Sequence, residues 1–152
     1  MFDKVIAESY RKIIWFIGIL IMSVHPLGAA PALIQVHTFA AFGAAALTIL
    51  IFSMPRGTLW HRRLGWAWVC TMALAALTSF GITEMRQGQL GPIHVLSVAT
   101  LGFLVLGVVR ARRRQIAGHR RTMLGLTYGA LCVAGAFTLL PGRLMHTVLF
   151  GQ

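Results

Sequence analysis

The sequence predicts an all-α integral membrane protein, a bundle of five transmembrane helices whose last four form a core of two repeated hairpins. Hydrophobic residues make up 57% of the 152 residues, and charged residues only 11%. The mean hydropathy of +0.77 is far above that of ordinary soluble domains. Five apolar stretches approach the roughly 17 to 25 residues with which a helix crosses about 30 Å of hydrocarbon.

The five predicted spans cover residues 10–27, 34–54, 64–83, 93–109 and 122–140. We interpret residues 1–152 as a single transmembrane domain, with an N-terminal anchor helix in 1–33, hairpin 1 in 34–83 and hairpin 2 in 93–141. The apolar run of the first span stops at His25-Pro26, where proline removes a backbone donor. This segment also has the outline of a secretory signal, but a proline would follow the cut site in "GAAPA", so we expect a retained anchor.

The basic residues predict the orientation of the chain. Arg86 and Arg143 fall on one side of the predicted bundle, and the other Lys and Arg residues fall on the opposite side. This asymmetry predicts a cytoplasmic N-terminus and an external C-terminus. Lipid-facing cations account for the net charge of +11, so no nucleic-acid partner is expected. The residues on the cytoplasmic side are Lys4, Arg11, Lys12, Arg56, Arg62, Arg63, Arg110, Arg112, Arg113, Arg114, Arg120 and Arg121.

Two segments share a pattern of histidine and arginine. "HTFAAFGAAALTILIFSMPRGTLWHRRLGWAWV" begins at His37 and "HVLSVATLGFLVLGVVRARRRQIAGHRRTMLGL" begins at His94. Each starts with histidine at one end of an apolar span and reaches His-Arg-Arg, at His61 or His119, where the next helix starts. At about 1.5 Å per residue, the two histidine layers would lie roughly 25 Å apart. A pseudo-twofold axis along the membrane normal would pair His37 with His94 and His61 with His119.

Two imidazoles facing each other inside a helical bundle suit the axial positions of a haem iron. We therefore expect one or two haem b groups, with iron ligands His37 and His94 near the outer face and His61 and His119 near the inner face. Haem propionates are carboxylates, with which arginines pair well. The arginines placed for this are Arg62, Arg63, Arg120 and Arg121, and the small residues that would admit a flat macrocycle or a neighbouring helix are Gly43, Gly65, Gly102, Gly125 and Gly129.

The layout over residues 34–140 resembles the two-haem transmembrane cytochrome b superfamily, which carries electrons between a reductant or quinol pool and an acceptor. In those proteins a four-helix core binds one haem through its first and third helices and the other through its second and fourth. His37 and His94 match the first scheme, and His61 and His119 match the second. The resemblance implies a membrane electron carrier that exchanges electrons with quinone.

The residues themselves are more similar to an uncharacterised bacterial family of predicted membrane proteins, a domain-of-unknown-function family. The similarity rests on "LWHRRLGWAWV", on "AGHRRTMLGLTY" and on a histidine at the position of His37. It implies no activity. His94 departs from the pattern of that family, so the outer pair has less support from the resemblance than the inner pair.

Other interpretations stay open. Histidine at a helix end is often an interfacial polar residue, and the positive-inside rule alone predicts the adjacent arginines. His25 and His146 would join the outer layer, where a histidine cluster could bind zinc or copper. Cys70 and Cys132 lie in the apolar zone of the third and fifth predicted helices and are interpreted as small packing residues, with a disulfide or a metal pair as the alternative. The alternative function is a non-catalytic membrane subunit of a larger complex, or a homodimer, that binds zinc, copper or pigment.

Acidic residues are almost absent, which argues against several functions. Asp3, Glu8 and Glu84 are the only ones, and none lies in the middle of a predicted span. Residues for a carboxylate proton relay or for a hydrolytic acid and base pair are therefore lacking, and the sequence leaves open whether the protein is an enzyme. The residues available to line an outer quinone pocket are Gln35, Thr38, Glu84 and Arg86.

Overall fold

The structure, a computed structural model, describes residues 27–82, 92–141 and 144–150. Within these ranges the regular secondary structure is helical throughout. The helices are α1 (Ala32–Phe52), α2 (Leu59–Ser79), α3 (Pro92–Arg112), α4 (Ile116–Gly125), a π-helical segment (Leu126–Cys132), α5 (Val133–Thr138) and α6 (Leu144–Phe150).

Local chemistry explains where the helices begin and end. Proline is favoured in the first turn, where its missing N–H costs nothing, and α3 begins at Pro92. The Thr58 side chain caps α2 by accepting the backbone N–H of His61 at 3.1 Å. After α3, Arg114 takes a positive φ of 59°, and the Gln115 N–H donates to the Arg110 carbonyl, which closes a Schellman-type end.

Backbone contacts divide the chain into two compact units, Pro31–Ala136 and a smaller unit of Met1–Ala30 with Phe137–Gln152. In the larger unit α1 packs against α2, α2 against α3, and α3 against α4. The π-helical segment packs against both α3 and α1, which closes a four-helix ring. In this ring α1 lies opposite α3, and α2 lies opposite α4 and its π-helical continuation. In the smaller unit, Leu27 and Val148 are buried.

The centre of the ring is apolar. Trp68 and Met72 of α2 are buried there, and the Trp68 indole N–H donates to Thr48 Oγ1 of α1 at 2.8 Å. The Thr48 hydroxyl in turn donates to the Ala44 carbonyl oxygen of its own helix at 2.8 Å. The buried members of this core are Ala44, Trp68, Met72, Leu104, Leu126 and Ala130.

The outside of the ring is apolar as well. Ile49 and Val95 are each 71% exposed, which is the pattern of a helix bundle that faces lipid. Among the described residues, two helices are long and apolar enough to cross a membrane, Ala32–Phe52 and Ile93–Arg112. The first predicted span lies outside the described residues except for Leu27, so the prediction of five spans is met in part.

Two helices extend beyond the predicted apolar spans. The third span was predicted over residues 64–83, and α2 begins at Leu59, where Thr58 caps it, so His61 lies in the first turn of the helix as predicted. The fifth was predicted as one span over residues 122–140. The helix instead begins at Ile116, changes to π-helix over Leu126–Cys132, and returns to α-helix over Val133–Thr138.

Replacing Thr48 with valine is expected to lower the free energy of unfolding by roughly 0.6 to 2 kcal/mol, the range for interhelical hydrogen bonds in membranes. The cause is the loss of the acceptor for the Trp68 indole. Chemical unfolding in detergent micelles measures the change, and the cost should nearly vanish in a Trp68→Phe background. Thr71→Val is the matched control, because the Thr71 hydroxyl donates only to carbonyls of its own helix. Equal losses in both backgrounds would contradict the assignment.

Candidate functional site

His37 is held by the neighbouring helix α2. Its Nδ1 lies 2.9 Å from the Ala75 carbonyl oxygen and 3.2 Å from Thr78 Oγ1. A carbonyl oxygen can only accept, so Nδ1 carries the proton of the neutral ring. The lone pair then resides on Nε2, the ring nitrogen that is free to bind a metal or accept a proton.

His94 lies at the same level of the ring, on the opposite helix α3. It is 5% exposed, and its ring centroid lies 5.9 Å from that of Phe80 with the planes tilted by 45°. One turn further along α3, Ser97 Oγ lies 2.6 Å from Ser79 Oγ of α2. His37 and His94 therefore both contact residues 75–80 of α2, one from α1 and the other from α3. The hydrogen bonds of His37 go to α2 and not to His94.

His119 of α4 is fixed in the same manner as His37. Its Nδ1 lies 2.9 Å from the Gly107 carbonyl oxygen of α3, so Nδ1 donates its proton to that oxygen. Gly107 permits a close approach of the two helices, because a Cβ atom there would collide with the end of the Met123 side chain. Two of the four predicted ligands, one in each pair, thus donate Nδ1–H to a backbone carbonyl of another helix.

His61 lies near His119 at the end of the ring where α2 and α4 begin. Its Nδ1 atom is buried and has no hydrogen-bond partner among the described residues. Burial lowers the pKa of His61, and the positive charges of His119 and Arg56 lower this pKa further. The structure therefore brings His61 and His119 close enough to interact electrostatically.

The four arginines of the two His-Arg-Arg tripeptides face away from the ring. In each tripeptide the histidine is half-buried and both arginines are exposed, because successive side chains of a helix differ by about 100° in direction. The Arg63 guanidinium lies over the Trp60 ring at 5.7 Å from its centroid. Pairing of Arg62, Arg63, Arg120 and Arg121 with a carboxylate stays a prediction.

Arg110 was not among the predicted site residues, although it joins α3 to α4 beside His119. Its Nη1 donates to Thr122 Oγ1 at 2.6 Å, and its aliphatic part packs against Gly118. Arg110 stood among the cytoplasmic basic residues in sequence. The contact depends on the register between α3 and α4, which places Arg110 over Gly118. The positive-inside rule already explains the charge of Arg110, so that charge gave no sign of the contact.

The remaining predicted residues do not form a common site. Gly65, Gly102, Gly125 and Gly129 have no atom within 4 Å of an added Cβ, whereas Gly43 would meet the Thr71 methyl at 3.6 Å. Cys70 and Cys132 are exposed free thiols, so their interpretation as packing residues of the interior was wrong. Thr38 is buried and Gln35 half-buried.

The predicted outer histidine cluster is not seen among the described residues. His146 lies half-buried in α6, within the smaller unit. His25, Glu84 and Arg86 lie outside the described residues. Within residues 27–82, 92–141 and 144–150, no three His, Cys, Asp or Glu side chains are grouped to hold a metal ion.

The helical ring, its lipid-type exterior and its two span-length helices define a membrane protein. The family described as "Predicted membrane protein (DUF2306)" matches residues 33–151. The chain belongs to this family of predicted membrane proteins of unknown function, which confirms the similarity inferred from the His-Arg-Arg segments. No curated protein and no solved structure matches the chain.

The depressed pKa of His61 predicts a pH dependence of stability. In the unfolded chain His61 has a pKa near 6.5, and in the folded chain its pKa is lower. As the pH falls, the unfolded chain therefore binds a proton first, and the free energy of unfolding decreases below about pH 6.5. Thermal unfolding in detergent at about pH 7.5 and about pH 5 should show that loss, and His61→Gln should remove part of it. His146→Gln serves as the control and should keep the wild-type slope. An unchanged slope in His61→Gln would mean that His61 titrates normally.

Proposed function

We propose that the protein is a b-type cytochrome-like electron carrier of the bacterial inner membrane. His37 and His94 would hold one haem b near the outer face, and His61 and His119 would hold a second near the cytoplasmic face. The observation that carries the proposal is the hydrogen bond from Nδ1 of His37 and of His119 to a backbone carbonyl of a neighbouring helix.

That hydrogen bond is typical of histidines that bind metals. A ligating imidazole usually donates its second ring N–H to a carbonyl or carboxylate, which fixes the tautomer, orients the ring and raises the basicity of the ligand nitrogen. His37 and His119 meet this requirement in different layers of the ring.

The second member of each pair fits a ligand role for a different reason. His94 is buried at the level of His37, where a charged imidazole would be costly. The buried Nδ1 of His61 lacks a hydrogen-bond partner among the described residues, and an unsatisfied buried polar atom costs about 1 to 3 kcal/mol. Rearrangement around a bound group would offset that cost.

The order of helices supports the same pairing. His37 and His94 lie on the opposite helices α1 and α3, and His61 and His119 lie on the opposite helices α2 and α4. Opposite helices leave space between them for a flat group, whereas adjacent helices pack directly. This is the first-with-third and second-with-fourth scheme of two-haem cytochromes b.

Haem, when bound, supplies one-electron transfer; the protein supplies orientation and exclusion of water. Trp68, Met72 and Leu104 form the apolar layer between the two histidine levels and keep water out.

The proposal also includes five spans, a cytoplasmic N-terminus and an external C-terminus. It further includes electron exchange with quinone near the outer pair, and assembly as a homodimer or in a larger membrane complex. Arg62, Arg63, Arg120 and Arg121 would reach the propionates only by folding back along their helices.

A second candidate function, a non-catalytic membrane subunit of a larger complex, is favoured by one observation. Gly102, Gly125 and Gly129 are exposed, and nothing lies within 4 Å of a Cβ placed on them. Small residues on a lipid-facing surface allow a helix of another protein to approach closely. Binding of zinc, copper or pigment through outer-face histidines belongs to this candidate.

A reduced-minus-oxidised absorbance spectrum of protein purified after expression with added haem precursor tests the proposal. We expect the sharp visible bands of six-coordinate haem and up to two haems per chain. His37→Ala or His94→Ala should remove one haem, and His61→Ala or His119→Ala should remove the other, because each haem depends on two axial imidazoles.

His146→Ala is the matched control, since this histidine belongs to the smaller unit and is not paired in the proposal. It should retain the full haem content. A colourless protein that folds normally by circular dichroism would refute the proposal and favour the subunit function. Haem that disappears only in His146→Ala would refute the assignment of the ligands.

A further inference from the structure

At the predicted cytoplasmic end of the ring, two exposed tryptophans each have an arginine guanidinium lying over the indole. Arg63 lies over Trp60 of the same helix, and Arg112 at the end of α3 lies over Trp66 of α2, with 5.7 and 5.8 Å between each guanidinium carbon and the ring centroid. The indoles of Trp60 and Trp66 are 63% and 51% exposed. We call these four residues the Trp–Arg surface.

Each guanidinium lies within the roughly 6 Å over which the face of an aromatic ring attracts a cation. A guanidinium has five N–H donors, which can form bidentate bonds to an oxyanion. Within the described part of the chain, Arg63 and Arg112 have no hydrogen-bond or ion-pair partner. No carboxylate side chain occurs among the described residues, so nothing there neutralises this surface.

The Trp–Arg surface continues into an exposed apolar strip along α2. From Trp66 the strip runs through Cys70, Leu74 and Leu77, all exposed and spaced at three or four residues, so they share one helix face. Trp66 to Leu74 spans about 12 Å at 1.5 Å per residue, close to the roughly 15 Å of one hydrocarbon leaflet. A basic aromatic end and an apolar strip of leaflet length together match one whole lipid molecule.

We propose that the Trp–Arg surface binds an anionic phospholipid, with Arg63 and Arg112 holding its phosphodiester and with its acyl chains lying along Cys70, Leu74 and Leu77. The indoles sit at the depth of the headgroups, where tryptophan is enriched in membrane proteins. A free phosphate would use the arginines and leave the strip without a role. The site belongs to the protein whether or not haem binds.

Native mass spectrometry of detergent-solubilised protein tests the site with two probes, dioleoylphosphatidylglycerol and dioleoylphosphatidylcholine. The wild type should bind the anionic lipid more tightly than the zwitterionic lipid. The Arg63→Gln, Arg112→Gln double variant should lose roughly 10- to 30-fold in affinity for the anionic lipid, the effect of removing two cations that each contact the headgroup. Trp66→Leu should weaken binding by less, because both charges remain.

The Arg113→Gln, Arg114→Gln double variant is the matched control. It removes the same charge from two exposed arginines of the same end that lie on no aromatic ring, and it should stay within about twofold of the wild type. Equal losses in the two double variants would overturn the proposal, because the attraction would then be a diffuse field. Equal binding of both lipids, or displacement of the anionic lipid by millimolar inorganic phosphate, would also overturn it. Thermal unfolding without added lipid checks that every variant is folded.

Discussion

A bilayer offers no water to the inside of a helical ring, so each buried polar group must find its partner on another helix or on its own backbone. Several hydrogen bonds between helices meet this constraint, among them His37 to the Ala75 carbonyl, His119 to the Gly107 carbonyl, and the Trp68 indole to Thr48. Such bonds restrict the rotation of the helices that supply them. They therefore help to fix the register of the ring, together with its apolar contacts.

The same bonds make the two histidine levels chemically unequal. The apparent sequence repeat relates His37 to His94 and His61 to His119, whereas His37 and His119, which the repeat does not relate, both donate Nδ1–H to a carbonyl of a neighbouring helix. In the predicted inner pair, Nδ1 of His61 has no such acceptor among the described residues. The two levels also differ in charge, because His61 interacts with Arg56 while the hydrogen bonds of His37 go to neutral groups.

Sequence spacing predicted the histidine levels, but it could not predict what holds them. The sequence shows which residues have imidazoles, but every residue has a backbone carbonyl. Nothing in the sequence therefore marked Ala75 and Gly107 as acceptors. Spacing also placed Arg62 and Arg63 beside His61 in the chain, but both arginines are exposed because successive side chains of a helix differ by about 100° in direction. The π-helical segment was missed for a related reason: one extra residue per turn hardly alters an apolar pattern in a run that is apolar on every side.

The proposed lipid site lies close in the chain to the predicted inner histidine pair. Arg63 follows His61 by two residues, so an anion held by Arg63 would lie within one helical turn of the half-buried imidazole. Coulomb interactions extend further in a low-dielectric medium than in water, and salt screens them poorly there. A phosphodiester at the Trp–Arg surface would therefore offset part of the positive potential that the arginines create at the inner pair. It would also lower the energetic cost of a positive charge on His61 or His119. The outer pair, on the far side of the Trp68 layer, would feel little of this effect.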